Sequence, residues 1–162
     1  MQDPVAGQSV RVSLRVLATT DLHMNILPYD YHADQTVSGW GLSRTAQLID
    51  VARKETANVV LLDNGDCLFG SALGEGRLAV MGDQVHPMIH AMNHLNYDAM
   101  NLGNHDFDQG QAAMYRAIQG AEFPVLTANA MLPDDADQNL IAPYALLPRQ
   151  VEDDQGQMHE LT

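Results

Sequence analysis

Gly103-Asn104-His105-Asp106-Phe107-Asp108 places an amide, an imidazole and two carboxylates directly after a glycine. Before it, Tyr97-Asp98-Ala99-Met100-Asn101-Leu102 reads as a short buried strand, and after it Gly110 to Gly120 reads as a helix. The polar group therefore stands where a strand has ended and a helix has yet to begin. In open α/β sheets that edge is where ligands bind. Two upstream stretches repeat the pattern: Thr19-Thr20-Asp21-Leu22-His23 and Asp63-Asn64-Gly65-Asp66. Three strand ends offering oxygen and imidazole donors point to an α/β fold with a mostly parallel sheet, flanking helices and one shared edge.

The intervening chain agrees with that fold. Val10, Val12, Leu14 and Val16 alternate with Arg11, Ser13 and Arg15, a period of two that predicts a strand leading into Asp21. From Ile26 to Trp40 there is no clear period, and a long loop is expected. Leu42, Ala46, Ile49 and Ala52 share one helical face opposite Arg44, Gln47, Asp50 and Lys54. Asn58 to Leu62 predicts the second strand, and Cys67 to Gly82 a glycine-punctuated loop with one short helix. Pro87 suits the first position of a helix whose apolar face is Met88, Ile89, Met92 and Leu95. Pro124 to Asn129 predicts a fourth strand. Ala145 to Val151 and Met158 to Thr162 predict two more, around the turn Asp153-Asp154-Gln155-Gly156. Alternating strands and helices imply right-handed parallel crossovers, which bring Asp21, His23, Asp66, Asn104 and His105 to one edge.

Composition narrows the function. A chain of 162 residues, 46% hydrophobic and 18% charged, suits one domain with a real core. Residues 1–8 are expected to be a flexible tail ahead of a domain over 9–162. No run of about 18 apolar residues occurs, so no membrane span is expected. Met1-Gln2-Asp3-Pro4 lacks the basic and apolar regions of a signal peptide. The formal charge is −13, with eight basic residues in all. Such a surface disfavours duplex nucleic acid, and a phosphate-bearing substrate would need cations to attract it. The single cysteine, Cys67, excludes an internal disulfide and a cysteine-rich zinc site.

Carboxylate, imidazole and amide donors suit divalent ions of the Mn, Zn, Fe or Mg class. Two such ions about 3.5–4 Å apart can clamp an in-line displacement at phosphorus. A histidine beside them, its ring oriented by a carboxylate, can protonate the leaving oxygen.

In their order, Asp21-Leu22-His23, Gly65-Asp66 and Gly103-Asn104-His105-Asp106 resemble the signatures of the calcineurin-like metallophosphoesterases. The wider stretches Thr19 to Asn25, Asp63 to Asp66, Val85-His86-Pro87 and Asn129-Ala130 resemble the bacterial 2′,3′-cyclic-nucleotide 2′-phosphodiesterase/3′-nucleotidase branch of the 5′-nucleotidase group. The resemblance runs from about Val10 to Thr162. It implies the N-terminal half of a four-layer α/β/β/α sandwich. It also implies two divalent metal ions, a 2′,3′-cyclic or 3′-nucleotide substrate, and a periplasmic or secreted parent protein. By position, Asp21 and His23 would bind the first metal, Asp66 would bridge, and Asn104 would bind the second. His105 would be the catalytic histidine and Asp108 its orienting carboxylate, with a structural role left for Asp106. The family's second half adds Gly-His and Gly-His-x-His ligands and a base-gripping domain. This sequence has neither, since His159 is the only histidine after His105. An incomplete site, and self-association through an uncovered sheet edge, are therefore expected. The alternatives are a 5′-nucleotidase or related hydrolase on the same scaffold, or an inactive metal-binding or interaction fragment.

Plainer readings stand beside these. Asp and Asn favour turns and caps on their own account, and Asp108 suits an N-cap. His86, His90 and His94 recur every four residues, but His86 precedes Pro87 and is pushed out of helical geometry, and His90 and His94 lie opposite Met88, Met92 and Leu95, so a solvated face is expected rather than a metal face. Asp135-Ala136-Asp137-Gln138-Asn139 begins like a calcium loop, yet Leu140 and Leu146 replace the required glycine and glutamate. Cys67 is expected to be a small buried hydrophobe. Trp40, Tyr29 and Tyr31 are expected to pack down on the core.

Overall fold

The computed structural model describes residues 10–77, 84–130 and 140–162. The expected tail, the start of the calcium-like stretch and the end of the Cys67 to Gly82 loop lie outside them. Four strands form one parallel sheet in the order β1 (Arg15–Thr19), β4 (Val59–Asp63), β5 (Ala99–Asn101), β6 (Val125–Leu126). The crossovers are α1 (Leu42–Glu55), α3 (Pro87–His94) and α4 (Gln111–Ile118), with a short α2 (Ala72–Arg77) after β4. Two antiparallel pairs stand apart: β2 (Tyr29–Asp30) with β3 (Gln35–Thr36), and β7 (Arg149–Glu152) with β8 (Met158–Leu161). This is the expected α/β architecture. Among the described residues no helix is long and apolar enough to cross a membrane.

The sheet register explains where the core lies. Leu17 pairs Leu61, Asp63 pairs Met100, and Met100 pairs Val125, so these residues share one face. That face joins Ile49 of α1, Met88, Ile89 and Met92 of α3, and Met114, Ala117 and Ile118 of α4 in one core cluster. The opposite face carries Val16, Ala18, Leu62 and Leu126. A cavity of about 400 Å³ opens on it, lined among others by Ala18, Leu62, Asn101 and Leu126.

The β1 expectation needs correction. Val10 to Leu14 does not extend the strand, and Val12 makes only an isolated bridge to Asp153. Its ladder partner β4 begins at Val59, so the chain upstream of Arg15 has no strand to join. The inward phase is also the other one: Leu17 packs on the core, while Val16 is 58% exposed. The predicted loop before α1 contains the β2–β3 pair. Trp40 is 45% exposed rather than packed down, and Tyr31 is 39% exposed. His90 and His94 face solvent as expected, but His86 is buried.

Side chains tie the late hairpin to the sheet. Arg149 donates from Nη1 to the Val59 carbonyl and from Nη2 to Asp98, both at 2.9 Å. The other Asp98 oxygen accepts the Leu61 N–H at 2.7 Å. Asn58 donates to the Ser13 and Glu152 carbonyls and accepts the Glu152 N–H. Arg53 of α1 donates to the Leu95 and Asn96 carbonyls at the end of α3, where a cation also favours the helix dipole.

Candidate functional site

Three loops leave the C-terminal ends of β1, β4 and β5, and they are stitched together by backbone. Asp21 N–H donates to the Gly65 carbonyl at 3.0 Å, and His23 and Met24 N–H donate to the Asp66 and Cys67 carbonyls at 2.9 Å. The first two loops therefore run side by side as a short ladder. The second and third loops approach closely: a Cβ at Gly65, whose φ is +101°, would stand 2.8 Å from the Gly103 Cα. A Cβ at Gly103 would overlap Asp66.

The third loop locks onto the second through Asp106. This carboxylate is fully buried and accepts four backbone N–H groups. Oδ2 takes Asp66 and Gly103, and Oδ1 takes Cys67 and Leu68, at 2.9–3.0 Å. Burial pushes the Asp106 carboxyl upward against the pull of those N–H groups. The motif itself forms a 3₁₀ turn over His105–Phe107, and the His105 N–H donates to Asp66 Oδ1 at 2.7 Å.

Asp21, His23 and Asp66 come together, with ligand atoms all within 4.8 Å of one another. His23 Nε2 lies 3.7 Å from Asp21 Oδ1. Its Nδ1 lies 3.1 Å from the Phe69 carbonyl, which can only accept, so Nδ1 carries the proton and Nε2 is free to bind. Asp21, His23, Met24 and Asp66 all adopt left-handed backbone, with φ of 54°, 44°, 57° and 58°. Four non-glycine residues so held cost on the order of 1 kcal/mol or more each, a strain that clusters at functional sites. The His105 ring is 5.2 Å from the His23 ring, and its Nδ1 lies 2.7 Å from Asp108 Oδ2. That bond, and then the Asp108 charge, draw the His105 pKa above its ordinary value. Asn104 is exposed and its side chain makes no capping bond at the 3₁₀ turn it precedes.

The donors fit a divalent cation. Among the described residues neither Asp21 nor Asp66 is paired with an arginine or lysine. Two carboxylates and an imidazole with a committed tautomer thus converge without a countercharge.

Sequence reasoning placed the side-chain donors at these loops. It did not identify the Phe69 carbonyl, a backbone group with no side-chain signal. It also assigned no role to Asp63, whose signal was an acid closing an apolar strand. Asp63 is buried, accepting Thr19 Oγ1 at 2.6 Å and the Gly65 N–H at 2.9 Å, while Thr19 meets the Tyr97 hydroxyl at 2.9 Å. Burial raises the Asp63 carboxyl to about 6 from an ordinary 3.8. Between those values the folded chain binds more protons than the unfolded one, so this group makes stability fall as pH rises. Asp63→Asn is expected to remove that fall. In metal-free urea titrations it should gain up to about 3 kcal/mol on the wild type between pH 4 and pH 7. Parallel wild-type and variant pH curves would refute it.

Cys67 lies buried between Met92 and Met100, and burial pushes its thiol well up, as suits a core residue.

The comparisons with known proteins agree with this geometry. The chain is 40% identical over 157 residues to a 2′,3′-cyclic-nucleotide 2′-phosphodiesterase/3′-nucleotidase of Yersinia enterocolitica, covering 96% of this chain and 24% of that protein. It is 40% identical over 152 residues to the trifunctional nucleotide phosphoesterase protein YfkN of Bacillus subtilis, covering 90% of this chain and 10% of that protein. A crystal structure of calcineurin-like phosphoesterase YfkN from Bacillus subtilis superposes with a TM-score of 0.82 at 36% identity, over 93% of this chain and 46% of that one. The chain thus spans a quarter or less of the curated relatives' length. With residues 14–147 matching the model of the calcineurin-like phosphoesterases, the chain belongs to that family.

Proposed function

We propose that this chain supplies the metal-holding and proton-transferring loops of a nucleotide phosphoesterase that opens 2′,3′-cyclic nucleotides and removes 3′-phosphates. The observation that carries it is the convergence of Asp21, His23 and Asp66 within 4.8 Å of one another, beside the His105–Asp108 pair. Asp21, His23 and Asp66 would hold one divalent cation, and Asp66 with Asn104 a second. Bound cations of the Mn, Zn, Fe or Mg class supply positive charge at the phosphoryl oxygens and acidify an attacking water.

The chain's own groups do the rest. Asp66 Oδ1 is fixed by the His105 N–H, which holds the bridging carboxylate and the imidazole in one unit. The His105 side chain is 48% exposed and so within reach of a substrate. Asp108 engages its Nδ1, which leaves Nε2 to give a proton to the departing nucleoside oxygen. The cyclic-nucleotide preference is supported by the 40% identity to the Yersinia enterocolitica protein.

Turnover of a chromogenic phosphodiester and of 2′,3′-cyclic AMP with Mn²⁺ tests the reading, with EDTA and Asp66→Asn as controls. A fixed ligand's supporting partners are worth about 10–100-fold, so loss of the bridging ligand should lower kcat/KM by at least about 100-fold. Equal rates in wild type and Asp66→Asn would refute the assignment. Faster hydrolysis of 5′-AMP than of 2′,3′-cyclic AMP by the full-length parent would overturn the substrate class alone.

A further inference from the structure

His86 is a buried polar group that this chemistry leaves unused. It is 1% exposed, and among the described residues neither ring nitrogen has a hydrogen-bond partner. Native interiors rarely leave such atoms unpaired, so each case calls for an explanation. Burial lowers its pKa to about 4, which keeps the ring neutral at working pH. Its ring meets Phe69 edge to face, at 6.0 Å between centroids and 84° between planes. That is the arrangement aromatic quadrupoles favour.

Phe69 matters because its carbonyl receives His23 Nδ1 at 3.1 Å. Upstream, the loop is pinned by Asp106 through the N–H groups of Asp66, Cys67 and Leu68. That pinning stops one residue short of Phe69. Downstream is Gly70, at φ +109°, where a Cβ would stand 2.5 Å from His23 Nδ1. The Phe69 carbonyl is therefore held between a three-bond anchor and a glycine turn, and its own ring, 1% exposed, ties it to the core. Among the groups that ring meets is His86, edge to face.

We propose that His86 is a positioning residue for the metal ligand His23. It backs the Phe69 ring, which sets the Phe69 carbonyl, which keeps the proton on His23 Nδ1 and Nε2 open for a cation. The inference rests on the proposed metal site and adds to it a residue twenty positions beyond its last ligand in the second loop. His86 touches neither cation nor substrate in this scheme.

Long-range ¹H–¹⁵N NMR of the metal-free chain reads the His23 tautomer directly. The wild type should show the Nδ1–H form alone. An Nε2–H form in the wild type would overturn the proposal without any variant. His86→Ala should give a mixture of tautomers, and calorimetry should show Mn²⁺ binding weakened by about tenfold. Phe69→Leu, which keeps the carbonyl and loses the ring, should do the same, and the double variant should be no worse than the weaker single one. Should His86→Ala not fold, Phe69→Leu carries the same reading. An unchanged tautomer in a folded variant, or additive losses of affinity, would overturn the proposal. The tautomer needs neither bound metal nor turnover, so a failure of the phosphoesterase reading would show separately, as absent Mn²⁺ binding in the wild type with its tautomer intact.

Discussion

Asp106→Asn is expected to destabilise the chain by about 3–5 kcal/mol, the largest loss of stability that any single substitution at the site should cause. The carboxylate accepts four N–H groups from two loops. An asparagine of nearly the same shape keeps one oxygen for two of them and turns an NH₂ toward the other two. Those two buried donors then face a donor, and each stranded donor costs about 1–3 kcal/mol. The upward direction of the Asp106 pKa does not argue against this. It compares the charged with the protonated acid in one site, whereas the substitution removes acceptors. Urea unfolding of the metal-free chain measures it, as a shift in midpoint at unchanged slope. A loss below about 1 kcal/mol would mean that water reaches the stranded N–H groups. Because Asp66 N–H is among them, Mn²⁺ affinity should fall with stability.

How much of this was legible beforehand depends on whether a residue acts through its side chain or through its surroundings. Asp21, His23, Asp66, Asn104 and His105 could be singled out as candidates, because each carries its chemistry in its side chain and each follows an apolar run that ends at one sheet edge; the structure brings Asp21, His23 and Asp66 together. The helix over Leu42 to Glu55 was equally plain from its periodicity. The β1 phase was not. Val10 to Val16 alternates well, but alternation cannot say which face a neighbouring strand will bury, and β4 begins too late to pair with it. Preceding Pro87, His86 is off the helix as expected, the extended residue ahead of α3 with φ −55° and ψ 130°, but that rule does not say which way its side chain turns, and it turns inward. The β2–β3 pair is two residues a side, too short for any period to register. Asp106 could be assigned a structural role by position, but its four N–H partners come from tertiary folding.

His105→Gln in the full-length parent is expected to lower kcat on a nucleotide phosphodiester by about 10²–10⁴-fold, the range for loss of a positioned general acid. Glutamine can still hydrogen bond to the leaving oxygen but cannot give up a proton, so KM should move far less than kcat. The pH profile separates this from mere loss of packing. Asp108 draws the His105 pKa upward, first by its hydrogen bond to Nδ1 and then by its charge, with Asp66 and Asp21 adding to the same effect. A general acid is active while protonated, so activity falls as pH rises through that pKa. Asp108→Asn removes the main cause of the rise, and the descending limb of kcat should therefore move to lower pH. In His105→Gln that limb should be absent, because glutamine has no proton to give up. Cations bound as proposed would neutralise Asp66 and Asp21, which leaves Asp108 as the carboxylate that holds the His105 pKa up. If the limb stays in place in Asp108→Asn while kcat drops, Asp108 orients the ring without tuning it. If the limb persists in His105→Gln, the proton comes from another group, and the catalytic role proposed for His105 fails.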